Sequence, residues 1–162
     1  MVETIEKVWQ KIEKWLNIRP HSKLEIERYV KGRIKRWCEK IETLCKNPLD
    51  TFMILMDRIE KEGYINDENF ARWWVQQRID SEKFGSLRIK AELLSKGIDA
   101  NIADEVIENY VLPVEKKLIR YHYKKLKNKY FSEEKIVQAL LRKGFSYSLI
   151  QKAIPSLCYS EE

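Results

Sequence analysis

Four cations, Lys117, Arg120, Lys124 and Lys127, fall within one stripe of a helix turning at about 100° per residue. Fixed cations in a row neutralise phosphates or acidic side chains, so the chemistry they offer is electrostatic docking and not bond making. The segment 114–129 carries seven basic residues against one acid, Glu115. A second cluster, Arg28, Lys31, Arg33, Lys35, Arg36 and Lys40, sets six cations against the single acid Glu39 across 28–40. A solvated helix face would normally mix signs at i, i+4, and the missing acids favour a docking role. A plain charged surface is the competing reading.

Residues for other chemistry are present but wrongly spaced. Glu60, Glu62, Asp67 and Glu68 cluster in the sequence and read as helix caps and solvated charges, not as a two-metal site. There is no Gly-rich phosphate loop, no G-x-S-x-G and no H-E-x-x-H, so the chain reads as a non-enzyme. Cys38, Cys45 and Cys158 form no C-x-x-C, and only His21 and His122 could assist them, so neither a metal nor another cofactor is expected. The cysteines read as reduced thiols of an intracellular protein. Trp73, Tyr121 and Tyr147 are too scattered for the successive stacking platforms of a dedicated single-strand channel.

The elements that must hold these residues are helices. With 44% hydrophobic and 35% charged residues and only five Gly and four Pro, the composition favours Leu, Ile, Lys, Glu and Arg, which lose little rotamer freedom in a helix. No stretch approaches the roughly 20 apolar residues that span a bilayer. Residues 1–10 include Glu3 and Glu6 and lack the apolar run of a signal peptide, so no membrane association and a cytoplasmic location are expected.

An internal repeat organises the helices. RIKAELLSKGIDANIADEVI (88–107) aligns without gaps on KIVQALLRKGFSYSLIQKAI (135–154), at a constant offset of 47 residues. In each copy a helix with an apolar side (Ile89, Leu93 and Leu94; Ile136, Leu140 and Leu141) ends at a glycine, Gly97 or Gly144. Asp99 or Ser146 then caps a short helix whose core positions are Ile102, Val106 and Ile107, or Leu149, Ala153 and Ile154. Such a pair cannot bury both stripes alone. A third helix precedes each: one capped by Asn66 or Asp67, bearing Phe70, Ala71, Trp74, Val75 and Arg78, and one from Pro113 to Tyr130 with Ile119, Tyr123, Leu126 and Tyr130 inward. Residues 1–65 read as a divergent first copy. It comprises a helix striped by Val8, Ile12, Trp15 and Leu16, a Ser22/Glu25 capping box, and a helix from Pro48 that ends at Gly63. Ile26, Val30, Ile34, Trp37, Ile41 and Leu44 keep helical spacing, so its second helix is expected to run on through Leu44, with a break near Arg36-Trp37 as the alternative.

The assembled motifs resemble the RecX family. Gly63-Tyr64-Ile65-Asn66-Asp67-Glu68-Asn69-Phe70-Ala71 matches G-x-[LI]-[ND]-D-x-x-F-A, and Trp74, Val75 and Arg78 continue it. Gly85, Arg88-Ile89, Glu92-Leu93 and Lys96-Gly97-Ile98 follow G-x-x-R-I-x-x-E-L-x-x-K-G-I, while Leu140-Leu141-Arg142-Lys143-Gly144-Phe145-Ser146 is similar to the closing L-x-[RK]-[RK]-G-F-S. The match is good over 60–154 and poor before Pro48. The resemblance implies an all-α chain of three tandem three-helix repeats, 1–65, 66–112 and 113–162, in an elongated, curved arrangement. It further implies a monomeric regulator lying in the groove of a RecA–DNA filament, where family members limit filament growth and dampen recombinase, ATPase and coprotease activity in recombination, DNA repair and the SOS response. Candidate contacts to the RecA filament, or to the backbone of single-stranded or duplex DNA, are Lys117, Arg120, Lys124, Lys127, Arg142, Lys143, Arg78 and Arg88. Arg78 and Arg88 could equally tie two helices through a carboxylate. A stand-alone nucleic-acid-binding module and a helical-repeat scaffold for another partner are the alternatives.

Overall fold

Five helix starts in this chain are set by a preceding side chain that takes up an otherwise orphaned backbone N–H group. In a computed structural model that describes residues 2–39, 47–129 and 132–154, Ser22 Oγ accepts from Glu25 N at 3.2 Å, Asn47 Oδ1 from Asp50 N at 3.4 Å and Asn66 Oδ1 from Asn69 N at 2.8 Å. Asp99 and Ser146 act likewise, accepting from Asn101 N at 2.8 Å and Leu149 N at 3.3 Å. The resulting helices are α1 (Val2–Leu16), α2 (Lys23–Cys38), α3 (Pro48–Lys61), α4 (Asp67–Asp80), α5 (Ser86–Ser95), α6 (Ala100–Val106), α7 (Leu112–Lys127), α8 (Glu133–Arg142) and α9 (Tyr147–Ala153). Among the described residues there is no strand. The fold is all-α and built from three-helix repeats.

The glycine stops repeat as atoms and not only as letters. Gly63, Gly97 and Gly144 take φ of 77°, 79° and 87°, a left-handed conformation that costs glycine little. After each, the next residue donates its N–H back to the end of the helix: Tyr64 to Ile59 O (3.1 Å), Ile98 to Leu93 O (3.2 Å) and Phe145 to Leu140 O (3.3 Å). Leu93 and Leu140 are the pair that the 47-residue offset superimposes.

The structure departs from the sequence expectations at several places. Of the two cap candidates for α4 the structure takes Asn66, while Asp67 Oδ1 accepts from Lys23 N at 2.8 Å, at the start of α2. Helix α2 closes at Cys38, with Glu39 N bonded to Lys35 O, just past the Arg36-Trp37 alternative. Lys40, Ile41, Leu44 and Cys45 lie outside the described residues, as do Tyr130 and Cys158. Cys38 is disulfide-bonded, which corrects its reading as a reduced thiol. Leu94 and Leu141 are 44% and 41% exposed, because the buried stripe runs through the preceding leucine of each pair.

Pro113 does not open a new helix. The backbone passes from α6 through a π-helical turn, Ile107–Val111, directly into α7, and Leu112 N reaches back five residues to Ile107 O. A π turn offsets the hydrogen-bond ladder, so a residue without an N–H fits where it would break a regular helix.

The chain divides into two compact units, Met1–Phe70 and Ala71–Glu162. The first is centred on Trp9, Ile12, Ile26, Val30, Leu55 and Ile59, with Trp15 stacked between His21 at 3.5 Å and Tyr29 at 3.9 Å. In the second, Ile119, Ile136, Leu140, Phe145 and Ile150 are fully enclosed, each such burial contributing about 1.5–3 kcal/mol. Within that unit the two helix–Gly–helix copies meet at a glycine seam. Gly85 N donates to Lys143 O at 2.9 Å and Leu87 N to Gly144 O at 3.0 Å. A Cβ on Gly85 would lie 2.5 Å from Gly144 O, and one on Gly144 would lie 2.4 Å from Arg88 Cβ.

Candidate functional site

Helix α7 is held in place by its own inward face. Glu115, Ile119, His122 and Leu126 follow one another at i, i+4, i+7 and i+11, and the first three are buried. Glu115 Oε1 accepts from both Ser86 N (2.8 Å) and Ser86 Oγ (2.9 Å), satisfying the start of α5, whose own cap position is a glycine. Burial pushes the Glu115 carboxyl above its usual range, against the opposing pull of the two Ser86 bonds. Seven residues on, His122 Nε2 lies 2.7 Å from Glu82 O. Burial lowers the His122 imidazole, Lys143 and Lys125 lower it further, and the Glu82 carbonyl acts the other way. The neutral ring with its proton on Nε2 suits that carbonyl.

This inward face changes the meaning of the charge count. The only acid within 114–129 is the buried Glu115, so every charge that α7 presents to solvent is positive. Lys117, Arg120, Lys124 and Lys127 are all exposed, along with Lys116, Lys125 and Lys129. Arg120 also holds the fold together, because its Nε donates to Ala153 O at 3.0 Å and so closes the end of α9. Lys125 sits over the Tyr121 ring at 4.3 Å and bonds its hydroxyl, and Lys127 lies 5.9 Å from the Tyr123 ring. These aryl contacts steady the lysine stems while the charges stay in water.

The remaining candidates fall into two groups. Arg78 and Arg88 converge on Glu92, with Arg78 Nε 2.6 Å from Oε2 and Arg88 Nε 3.6 Å from Oε1. Trp74 Nε1 shares Oε2 at 3.1 Å, and the guanidinium of Arg78 covers the Trp74 ring at 4.3 Å. Arg88 stacks on Phe84 at 4.0 Å. Arg78 therefore ties α4 to α5, while Arg88, on the same carboxylate, keeps about half of its side chain exposed. Arg142 is exposed in the last turn of α8, and the half-buried Lys143 directs Nζ to Lys83 O at 3.5 Å. In the other unit the second cluster is distributed around α2. Arg33 bonds Tyr29 Oη at 2.9 and 2.7 Å, Arg36 bonds Gly32 O at 3.1 Å, and Lys31 lies 5.0 Å from the Phe52 ring.

Charge type alone does not single out Glu115, His122 or Glu92. For the first two the signal is the 115/119/122/126 stripe, which competes with the 119/123/126/130 stripe and differs by placing two titratable groups inside. Among the described residues no group of three or more His, Cys, Asp or Glu is placed to hold a metal, and no helix is long and apolar enough to cross a membrane.

Comparison with known proteins agrees with this architecture. The family described as RecX, second three-helix domain, matches residues 66–107, which hold α4, α5 and α6. Proteins named Regulatory protein RecX are similar to the chain: one from Streptococcus agalactiae serotype V is 28% identical over 135 residues, covering 80% of this chain and 52% of the relative. One from Caldanaerobacter subterraneus subsp. tengcongensis is 32% identical over 101 residues, covering 61% and 50%. The chain thus spans about half the length of the curated relatives it matches. A crystal structure of RecX from Lactobacillus salivarius superposes with a TM-score of 0.74 at 27% identity, covering 98% of this chain and 99% of that one. The glycine-stopped repeats, the matched middle domain and the shared fold agree: residues 66–107 carry the RecX second three-helix domain, and the chain as a whole resembles proteins named Regulatory protein RecX.

Proposed function

We propose that this protein is a non-enzymatic regulator that docks on the RecA–DNA filament and restrains it, with the exposed cations of α7 as the principal contact. The observation that carries the reading is the burial of Glu115, which leaves the solvent face of α7 wholly cationic within a fold shared with proteins named as regulators. A filament presents acidic protein surface and a phosphate backbone side by side, and an acid-free row of lysines complements both. Arg142 at the end of α8 and Arg88 on its Glu92 support extend the cationic surface, and Arg78 and Lys143 position it through their internal bonds. The working division is a divergent first repeat (1–65), a middle repeat (66–112) and a last repeat (113–162), acting as a cytoplasmic monomer.

The test is charge reversal. Arg120 is left intact, because its bond to Ala153 O makes it a structural tie. A Lys117→Glu/Lys124→Glu/Lys127→Glu variant should keep its helicity and lose at least about tenfold in filament affinity, the scale of several phosphate contacts removed. Its salt dependence should flatten by about 0.7–0.9 in slope for each such contact. Unchanged affinity would reduce the row to a solvated face. A stand-alone nucleic-acid-binding module is favoured instead if bare DNA is bound as tightly as the filament.

A further inference from the structure

Helix α2 divides its cations between two neighbours. Lys31 and Lys35 stand toward α3, beside Leu49 and Phe52, whereas Arg33 and Arg36 stand toward α1. On that second side a groove of about 540 Å³ opens within the first unit, lined by Lys7, Lys11, Arg33, Arg36, Trp37 and Glu39 over the buried Val8. The spacing explains the convergence: Lys7 and Lys11 are i, i+4 on α1, and Arg33, Arg36 and Trp37 are i, i+3 and i+4 on α2, so each helix turns its set to one side. Lys7, Lys11 and Arg36 are exposed, while Arg33 and Trp37 are half-buried and still reach the groove. Among the described lining residues Glu39 is the one acid. Glu6 and Glu25, on the same two helices, are drawn elsewhere, to Arg58 at 2.8 Å and Arg19 at 2.9 Å. Four cations and one flat ring thus face solvent in one place.

We propose that this groove binds a free nucleotide carrying two or more phosphates, its base stacked on Trp37 and its phosphates held by Lys7, Lys11, Arg33 and Arg36. The cations set the charge of the occupant, since a polyphosphate concentrates several negative charges within the reach of one groove. The arginines are already steadied for that task. Arg33 bonds Tyr29 Oη through Nε and Nη2 at 2.9 and 2.7 Å, and Arg36 bonds Gly32 O through Nε at 3.1 Å, which leaves Arg33 Nη1 and both terminal nitrogens of Arg36 for phosphate oxygens. Trp37 sets the other half of the occupant. It packs against the core of the first unit, so the ring is held in place, and an aromatic face among cations suits a base attached to phosphate. A single nucleotide fits better than a strand, because a strand needs successive stacking rings and the groove offers one. Tyr29, the next ring along α2, is taken, with Trp15 stacked on it at 3.9 Å and Arg33 on its hydroxyl. The volume lies within the roughly 300–1,000 Å³ usual for small-molecule sites. The site goes beyond the filament reading, since none of the α7 cations takes part in it.

The probe is ATP, titrated into the full chain without divalent metal and followed by the indole N–H signal of Trp37. It is compared with inorganic tripolyphosphate, which keeps the charge and lacks the base, and with a short oligothymidylate. ATP should shift the signal saturably and bind at least about fivefold more tightly than tripolyphosphate, the lower end of what one base–aromatic stack contributes, and binding should weaken as salt rises. Trp37→Leu should bring the two affinities together. Lys11→Glu/Arg36→Glu, which alters two exposed side chains, should keep its helicity and lose at least about tenfold in ATP affinity, the scale of the charge-assisted bonds removed. Absence of a saturable shift at Trp37, equal affinity for ATP and tripolyphosphate, or salt-independent binding would each overturn the proposal. So would a preference for ATP that survives in Trp37→Leu, or ATP affinity unchanged in the double reversal. Oligothymidylate shifting Trp37 at lower concentration than ATP would overturn it in favour of a strand track. If Trp37→Leu does not fold, the comparison of ATP with tripolyphosphate on the unaltered protein and the double reversal decide.

Discussion

Replacing Gly144 by alanine should damage the last two repeats far more than the same change at Gly63 damages the first, although both glycines stop a helix in the same left-handed conformation. The two share φ values of 87° and 77°, so each alanine carries a similar backbone strain of about 1–2 kcal/mol. Each also gains about 0.4–1 kcal/mol from a less flexible unfolded chain. At Gly63 nothing lies within 4 Å of the new Cβ, and the net loss should be about 0–1.5 kcal/mol. At Gly144 the Cβ meets Arg88 Cβ at 2.4 Å and Arg88 N at 2.6 Å, atoms that cannot swing away as a side-chain tip could. Prising the seam apart also threatens the Leu87 N to Gly144 O bond, and overpacking of this kind costs about 1–3 kcal/mol more. Because the two glycines belong to different compact units, native-state amide exchange is the suitable assay, reading α3 for Gly63→Ala and α5 and α8 for Gly144→Ala. Equal losses at the two positions would show that only backbone strain matters and that the glycine seam is not tightly packed.

Further outcomes follow from the inward-facing polar groups. His122 is held below its ordinary value of 6.5, so the folded protein binds this proton less readily than the unfolded chain. Stability of the second unit should therefore be full above about pH 6.5 and fall as pH drops through the lowered folded-state value; His122→Gln, which keeps a donor for Glu82 O, should flatten that decline in melting experiments. A pH profile unchanged by the substitution would contradict it. Glu92→Ala should cost roughly 1–3 kcal/mol, since it strips the acceptor from both Arg78 and Trp74 Nε1, whereas Arg88→Ala should cost well under half as much because Arg88 is the more exposed partner. Urea denaturation of the two variants gives the comparison, and similar losses would refute the ranking.

Local chemistry is what the sequence made legible. Glycine stops at 63, 97 and 144 can be read because a positive φ demands them, and Ser22, Asp99 and Ser146 because a cap acts within three residues. Exposure of the lysine row follows from helical spacing alone. Contacts between distant segments are not legible. Arg120 looks like its three neighbours in the row until Ala153 O, 33 residues away, claims it. Glu115 looks like a surface acid because a charge count does not say which residues face inward, and its partner Ser86 lies 29 residues earlier. Pro113 reads as a helix start, since a π turn that tolerates it leaves no mark in residue type. Asp67 shows the same limit at short range, being one residue from the true cap and bonded 44 residues away.

The central claim, that this chain regulates RecA through its filament, is tested most directly by RecA ATPase on single-stranded DNA titrated with the protein, with affinities for bare DNA and for the filament measured in parallel. The account predicts a saturable fall in ATPase and a filament preference of about tenfold or more, about 1.4 kcal/mol. An ATPase rate that stays flat while bare DNA and filament are bound equally would contradict it.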